Sequence, residues 1–112
     1  MNFKIKRVKI FVTTPKENLT KIRDAVCKAG AGIIGEYSYC TFTSDGVGTF
    51  MPSSKANPYI GKANILELAQ ECKVEFVCEI EKVKNVIAAI REIHPYEEPA
   101  IDIVPLLDEC DF

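Results

Sequence analysis

The stretch from Leu66 to Glu81 constrains the chain most, because it repeats with a period of two. Leu66, Leu68, Cys72, Val74, Phe76, Cys78 and Ile80 take the even positions, while Glu67, Glu71, Lys73, Glu75, Glu79 and Glu81 take the odd ones. Only Ala69, Gln70 and Val77 interrupt the alternation. Successive side chains of a strand point to opposite faces, so Cys72 to Ile80 reads as a strand with one dry and one wet face. Such a strand belongs to an antiparallel sheet covered on one side. Asn64 to Glu71 is less determined, since Ile65, Leu68, Ala69 and Cys72 also fit helical spacing; the alternation favours strand.

The flanking segments supply the other elements. Phe3 to Thr13 predicts a first strand through the alternation of Val8, Ile10 and Val12, and the phase change at Lys6 or Arg7 suggests a bulge. Thr14 suits an N-cap, Pro15 the first helical position, and Glu17 the capping-box position. Leu19, Ile22, Val26 and Ala29 then form one apolar stripe, and Gly30 supplies the left-handed stop. Ile33 to Phe42 predicts a second strand, Ser44-Asp45-Gly46 a turn, and Val47 to Phe50 a returning third strand. Met51 to Asn64 is loop-like, with Pro52, Pro58 and Gly61 as breakers, and its length marks it as functional or mobile. Val83, Val86, Ile87 and Ile90 predict a second helix that Pro95 ends. Ala100 to Val104 is a last short strand before an acidic tail. The order β-α-β-β-(β)-α-β predicts an α+β, ferredoxin-like split βαβ sandwich, with two helices on one face of an antiparallel sheet. The other face is then bare, and Tyr37, Tyr39 and Phe42 are expected to help it bind a second copy.

At 112 residues the chain is read as one domain, 1–112, able to bury roughly two-thirds of its unfolded surface. A net charge of −2 argues against a nucleic-acid partner. The basic cluster Lys4, Lys6, Arg7 and Lys9 is expected to be a solvated strand edge. Five cysteines without a C-x-x-C spacing predict free thiols in a reducing cytoplasm rather than a disulfide framework or zinc knuckle. No apolar run is long enough for a membrane helix, and the first fourteen residues lack the apolar core of a signal peptide.

Three segments carry candidate chemistry. Gly30-Ala31-Gly32-Ile33-Ile34-Gly35 follows a helix and precedes a strand, the reverse of a phosphate loop, so it reads as a helix cap and turn. Gly46-Val47-Gly48-Thr49-Phe50 is a second glycine pair, marking either a bulge or a place where a ligand or another subunit approaches the backbone closely. His94-Pro95-Tyr96-Glu97-Glu98-Pro99 concentrates the sole histidine, a phenol and two carboxylates. A packing role is open to it, with the histidine at a helix C-terminus and prolines fixing the turn. A ligand or divalent-cation site is the other reading. Adjacent glutamates in extended chain point apart, so only one joins His94, and a metal would need Cys40, water or a neighbouring subunit to complete its sphere. The residues assemble no catalytic triad.

The segments Ala29 to Tyr37, Cys40-Thr41-Phe42, Gly46 to Pro52, Asn57-Pro58-Tyr59-Ile60-Gly61 and His94 to Ile103 occur in the order typical of one domain. The chain resembles the YqfO-type domain inserted in many bacterial Nif-three-like proteins, a domain similar in fold to PII signalling proteins and CutA. The resemblance implies a ferredoxin-like fold and a homo-oligomer, trimer or dimer. It departs at Thr41, where serine is usual, and at Met51, where arginine is frequent, so an anion contact from that position is not expected. The larger proteins hold a dinuclear metal between two flanking halves with several histidines, which this chain does not contain, so their hydrolase or cyclohydrolase label is not expected to transfer.

The expected function is therefore an oligomeric PII-like or CutA-like module that binds a small ligand, an ion or a protein partner, with a site formed by the Gly46 to Phe50 hairpin, the Met51 to Gly61 loop and the His94 to Glu98 turn. Its ligand site would draw on Gly46, Gly48, Thr49, Asn57, His94, Tyr96, Glu97 and Glu98; His94, Glu98 and Cys40 are the candidate metal ligands. A metal-dependent enzyme completed between subunits, or a pure assembly domain, are the alternatives.

Overall fold

The computed structural model describes residues 3–112. Strand β1 (Arg7–Pro15) leads through a 3-10 turn (Lys16–Asn18) into helix α1 (Leu19–Lys28). Strand β2 (Thr41–Phe50) and the long strand β3 (Glu67–Glu79) follow. Helix α2 (Val83–Ile93) and strand β4 (Ile101–Leu106) complete the order. The sheet runs β2-β3-β1-β4, with every neighbouring pair antiparallel. This is the split βαβ arrangement expected from the sequence.

The alternation in β3 sets the layers. Cys72, Val74, Phe76 and Cys78 pair with Thr14, Val12, Ile10 and Val8 on β1, and all eight are buried. The apolar stripes of both helices pack on this face: Ile22 and Val26 of α1 and Val86 and Ile90 of α2 are fully enclosed. The opposite face carries Lys9, Phe11, Glu75 and Phe42, with no helix above it. Lys9 reaches Glu75 at 3.7 Å and the Lys73 ammonium stands 5.6 Å from the Phe11 ring centre.

Five expectations change. The predicted hairpin is one continuous strand: Ser44, Asp45 and Gly46 pair with Lys73, Cys72 and Glu71 as the middle of β2. Ile33 to Cys40 is not a strand: Gly35 and Tyr39 adopt left-handed φ, and only an isolated Ile34–Tyr37 bridge forms there. Tyr37, 76% exposed, and Tyr39 therefore stand on this excursion and not on the bare sheet face, while Phe42 does lie on that face. Thr14 and Pro15 end β1 instead of capping α1, so the chain turns through a 3-10 helix with no side-chain cap. Finally, β1 is interior and its basic residues form no sheet edge. Lys9 pairs with Glu75, and Arg7 binds Asp108 of the acidic tail through Nε at 2.8 Å and through Nη2. The phase change near Lys6 is where β1 begins, and 3–6 precede it without a bulged pairing.

The glycine cap is as expected. Gly30 has φ of +108°, its N–H bonds Cys27 O at 3.1 Å, and the Ala31 N–H bonds Val26 O at 3.0 Å. The Gly32 N–H reaches Val77 O, and the Cys40 N–H reaches Gly32 O, returning the chain to the edge of β3 where β2 starts.

Candidate functional site

The site arises from a mismatch of strand lengths. β1 stops at Pro15, opposite Glu71, and β4 begins opposite Val12, whereas β3 and β2 run on together to the Glu67–Phe50 pair. The far end of the β2–β3 ribbon thus overhangs the sheet. The loop 51–66 folds against it from one side and the turn 94–100 from the other. They enclose an open cavity of about 670 Å³, lined by Gly48, Phe50, Pro52, Tyr59, Glu71 and Tyr96 among others.

Glu71 forms the floor. Only 8% exposed, it is among the few buried charged side chains, and among the described residues it makes no salt bridge. The Tyr96 hydroxyl donates to Glu71 Oε2 at 2.6 Å. The carboxylate lies across the β2 backbone, and a Cβ on Gly48 would stand 1.9 Å from Glu71 Oε1. Glycine at 48 is therefore what lets Glu71 lie inward. Burial first, and then the hydrogen bond to Glu71, hold the Tyr96 phenol far above its ordinary pKa, so it remains a donor.

His94 stands behind this pair. Its Nε2–H donates to Thr13 O at 2.7 Å, and Nδ1 accepts the Tyr96 N–H at 3.1 Å. That bonding requires the neutral ring with its proton on Nε2. Burial lowers the His94 pKa, against the opposing pull of the Thr13 carbonyl and Glu71. The imidazole thus spends both nitrogens on orienting Tyr96 and fixing the end of β1. Tyr96 also touches Phe50 and Tyr59, with ring centres 5.9 and 6.2 Å away. At the rim, Glu97 Oε1 accepts the Asn57 N–H at 3.2 Å and ties the loop to the turn.

Of the residues singled out from sequence, Gly48, Thr49, Tyr96, Glu97 and Glu98 line the cavity. His94 orients it from behind and Asn57 holds its rim, while Gly46 borders a smaller hollow on the other side of Glu71. Cys40 is not brought to His94 and Glu98. It precedes β2 at the end remote from the cavity, with its thiol 3.6 Å from Tyr37 O. Among the described residues no three His, Cys, Asp or Glu side chains converge as metal ligands, and the His94 lone pair is already engaged. The donor set of one chain does not fit a metal.

Phe50 and Tyr59 stand in segments that the sequence marks, but Glu71 does not. Glu71 reads in sequence as one more residue of a wet strand face. Its only signal was indirect: a glycine within a strand, which marks a close approach without naming what approaches. Burial raises the thiols of Cys27, Cys72 and Cys78, so they are poor nucleophiles.

No protein-family model matches the chain. A GTP cyclohydrolase 1 type 2 homolog of Halalkalibacterium halodurans is 46% identical over 101 residues, which are 90% of this chain and 27% of that protein. The solved Bacillus cereus protein related to NIF3 superposes with a TM-score of 0.80 at 36% identity, over 96% of this chain and 27% of its own. The chain thus spans about a quarter of the length of these relatives. At lower identity the fold alone is shared. CutA1 from Shewanella sp. SIB1 gives a TM-score of 0.70 at 17% identity, covering 95% of this chain and 86% of its own. GlnK of B. subtilis, also solved as an ATP complex, gives 0.61 at 15% identity, covering 90% and 85%. By sequence and structure the chain is a homologue of a domain-sized part of the NIF3-related proteins, built on the fold shared by CutA and GlnK.

Proposed function

We propose that the chain is a small-ligand-binding module that acts as a homo-oligomer in the cytoplasm, with the cavity beside Glu71 and Tyr96 as its ligand site. The buried Glu71 carboxylate, bonded by the half-buried Tyr96 on the floor of an open cavity, carries this reading. A carboxylate held out of water without a cation costs stability, and a structure that tolerates this cost at a concave surface has the signature of a binding site. The surroundings support binding over bond-making. His94 has no free nitrogen, Tyr96 keeps its proton, and no activated thiol lines the cavity. GlnK binds ATP, but three carboxylates and no lysine or arginine line this cavity, which does not suit a polyphosphate.

The oligomer draws support from what the overhang exposes. Val47 and Leu68 lie on the helix side of the ribbon, beyond the reach of either helix, and Leu68 is 62% exposed. Exposed apolar groups clustered on one arm mark an interaction surface. Five unpaired cysteines support the reducing compartment, and among the described residues no helix is long and apolar enough to cross a membrane.

The test is a nuclear magnetic resonance screen of chemically diverse small fragments on the 112-residue protein. Shifts should concentrate at Gly48, Phe50, Glu71 and Tyr96, and Tyr96→Ala should abolish them. Fragments that bind only elsewhere would overturn the assignment of the site.

A further inference from the structure

We infer that the cavity selects a small organic cation, an ammonium or related group carried on an apolar frame; this rests on the cavity being the ligand site. Charge is the first reason. Glu71, Glu97 and Glu98 line the cavity and no basic residue does. Glu71 Oε2 takes the Tyr96 hydroxyl, but Oε1, lying over Gly48, accepts no hydrogen bond among the described residues. An anion placed there meets like charge, a neutral molecule leaves the carboxylate without a counter-ion, and a cation supplies one.

The walls are the second reason. Phe50 and Tyr59 flank Tyr96 with ring centres about 6 Å apart, so three aromatic rings border one space. Aromatic faces attract cations through their quadrupole, most strongly where water is excluded, and alkylated ammonium groups suit them because their charge is spread over an apolar surface. Pro52, Pro58 and Ile60 complete an apolar lining around the acidic floor. The third reason is size. About 670 Å³ is the volume of an organic molecule's site and far exceeds a bare ion. Among the described residues, no three His, Cys, Asp or Glu side chains converge as they would on a metal.

The decisive experiment compares choline with 3,3-dimethylbutan-1-ol, which has nearly the same shape but a carbon in place of the charged nitrogen. Both are titrated into the full chain, followed by amide shifts of Gly48, Glu71 and Tyr96. Choline should bind at least about tenfold more tightly than the alcohol. Glu71→Gln, which keeps an oxygen to accept the Tyr96 hydroxyl, should remove most of that preference; Glu97→Gln serves as a second variant should the first fail to fold. Equal binding of both probes in the cavity would overturn the cation preference and leave the ligand site standing. No cavity shifts with either probe would overturn the inference, and together with a fragment screen empty at the cavity it would remove the site reading too.

Discussion

Tyr96 is the residue on which the site turns. Its hydroxyl bonds one oxygen of the buried Glu71 carboxylate, its N–H bonds His94, and its ring meets Phe50 and Tyr59. Tyr96→Phe keeps the ring but strips Glu71 of its donor. Denaturant unfolding should show a loss of about 1–3 kcal/mol, the cost of leaving a buried acceptor unsatisfied. His94 makes a separate prediction. Burial depresses its pKa below the ordinary 6.5, so as pH falls the unfolded chain takes up the proton before the folded one does. The stability it contributes is complete above about pH 6.5 and is lost as pH falls towards the depressed folded value. Melting temperatures should be level from pH 7 to 8 and decline on acidification below 6.5. His94→Gln should be less stable at neutral pH and should show a shallower acid decline; an unchanged pH profile would contradict the neutral, doubly bonded ring. The importance of the His94 to Pro99 segment was legible in the sequence, but its division of labour was not. Which ring nitrogen bonds which partner depends on Thr13, eighty-one positions away.

At the scale of elements, β3 was the most legible, because a strand dry on one face writes its period directly into the sequence. β2 was the least. Ser44-Asp45-Gly46 has strong turn chemistry, yet it continues straight as an edge strand. Pairing with Lys73, Cys72 and Glu71 on one side satisfies its backbone, and solvent on the other tolerates Asp45, which Lys16 meets at 3.3 Å. The turn was displaced to the three left-handed glycines upstream, Gly30, Gly32 and Gly35. Gly48 connects this element to the cavity. Gly48→Ala places a methyl group against the end of a flexible side chain, so the strand should persist while Glu71 swings out. The expected outcome is an unchanged far-ultraviolet circular dichroism spectrum with the Tyr96–Glu71 hydrogen bond lost, read as faster exchange of the hydroxyl proton. Had Gly48 only a backbone role, that proton would be unaffected.

The whole molecule is more extended than its length requires. Its radius of gyration is 15.7 Å, whereas a compact chain of this size averages about 13 Å. The excess comes from the overhanging ribbon, which carries the cavity on one side and Val47 and Leu68 on the other. On the proposed reading, assembly and binding share one arm. Leu68→Lys places a charge on the exposed apolar side without touching the core, so it should dissociate the oligomer and leave the secondary structure unchanged, as sedimentation would show. The overhang was not legible in the sequence: alternation fixed the faces of β3, but the point where β1 leaves it depends on Pro15 ending the pairing opposite Glu71.

The most direct test of a ligand-binding oligomer is a non-denaturing mass spectrum of the freshly purified protein beside Tyr96→Ala. The wild type should appear at an integer multiple of 12.5 kDa with additional bound mass, and the variant at the same multiple without it. A bare monomer at 12.5 kDa would contradict the account and leave the His94 to Pro99 turn a packing device.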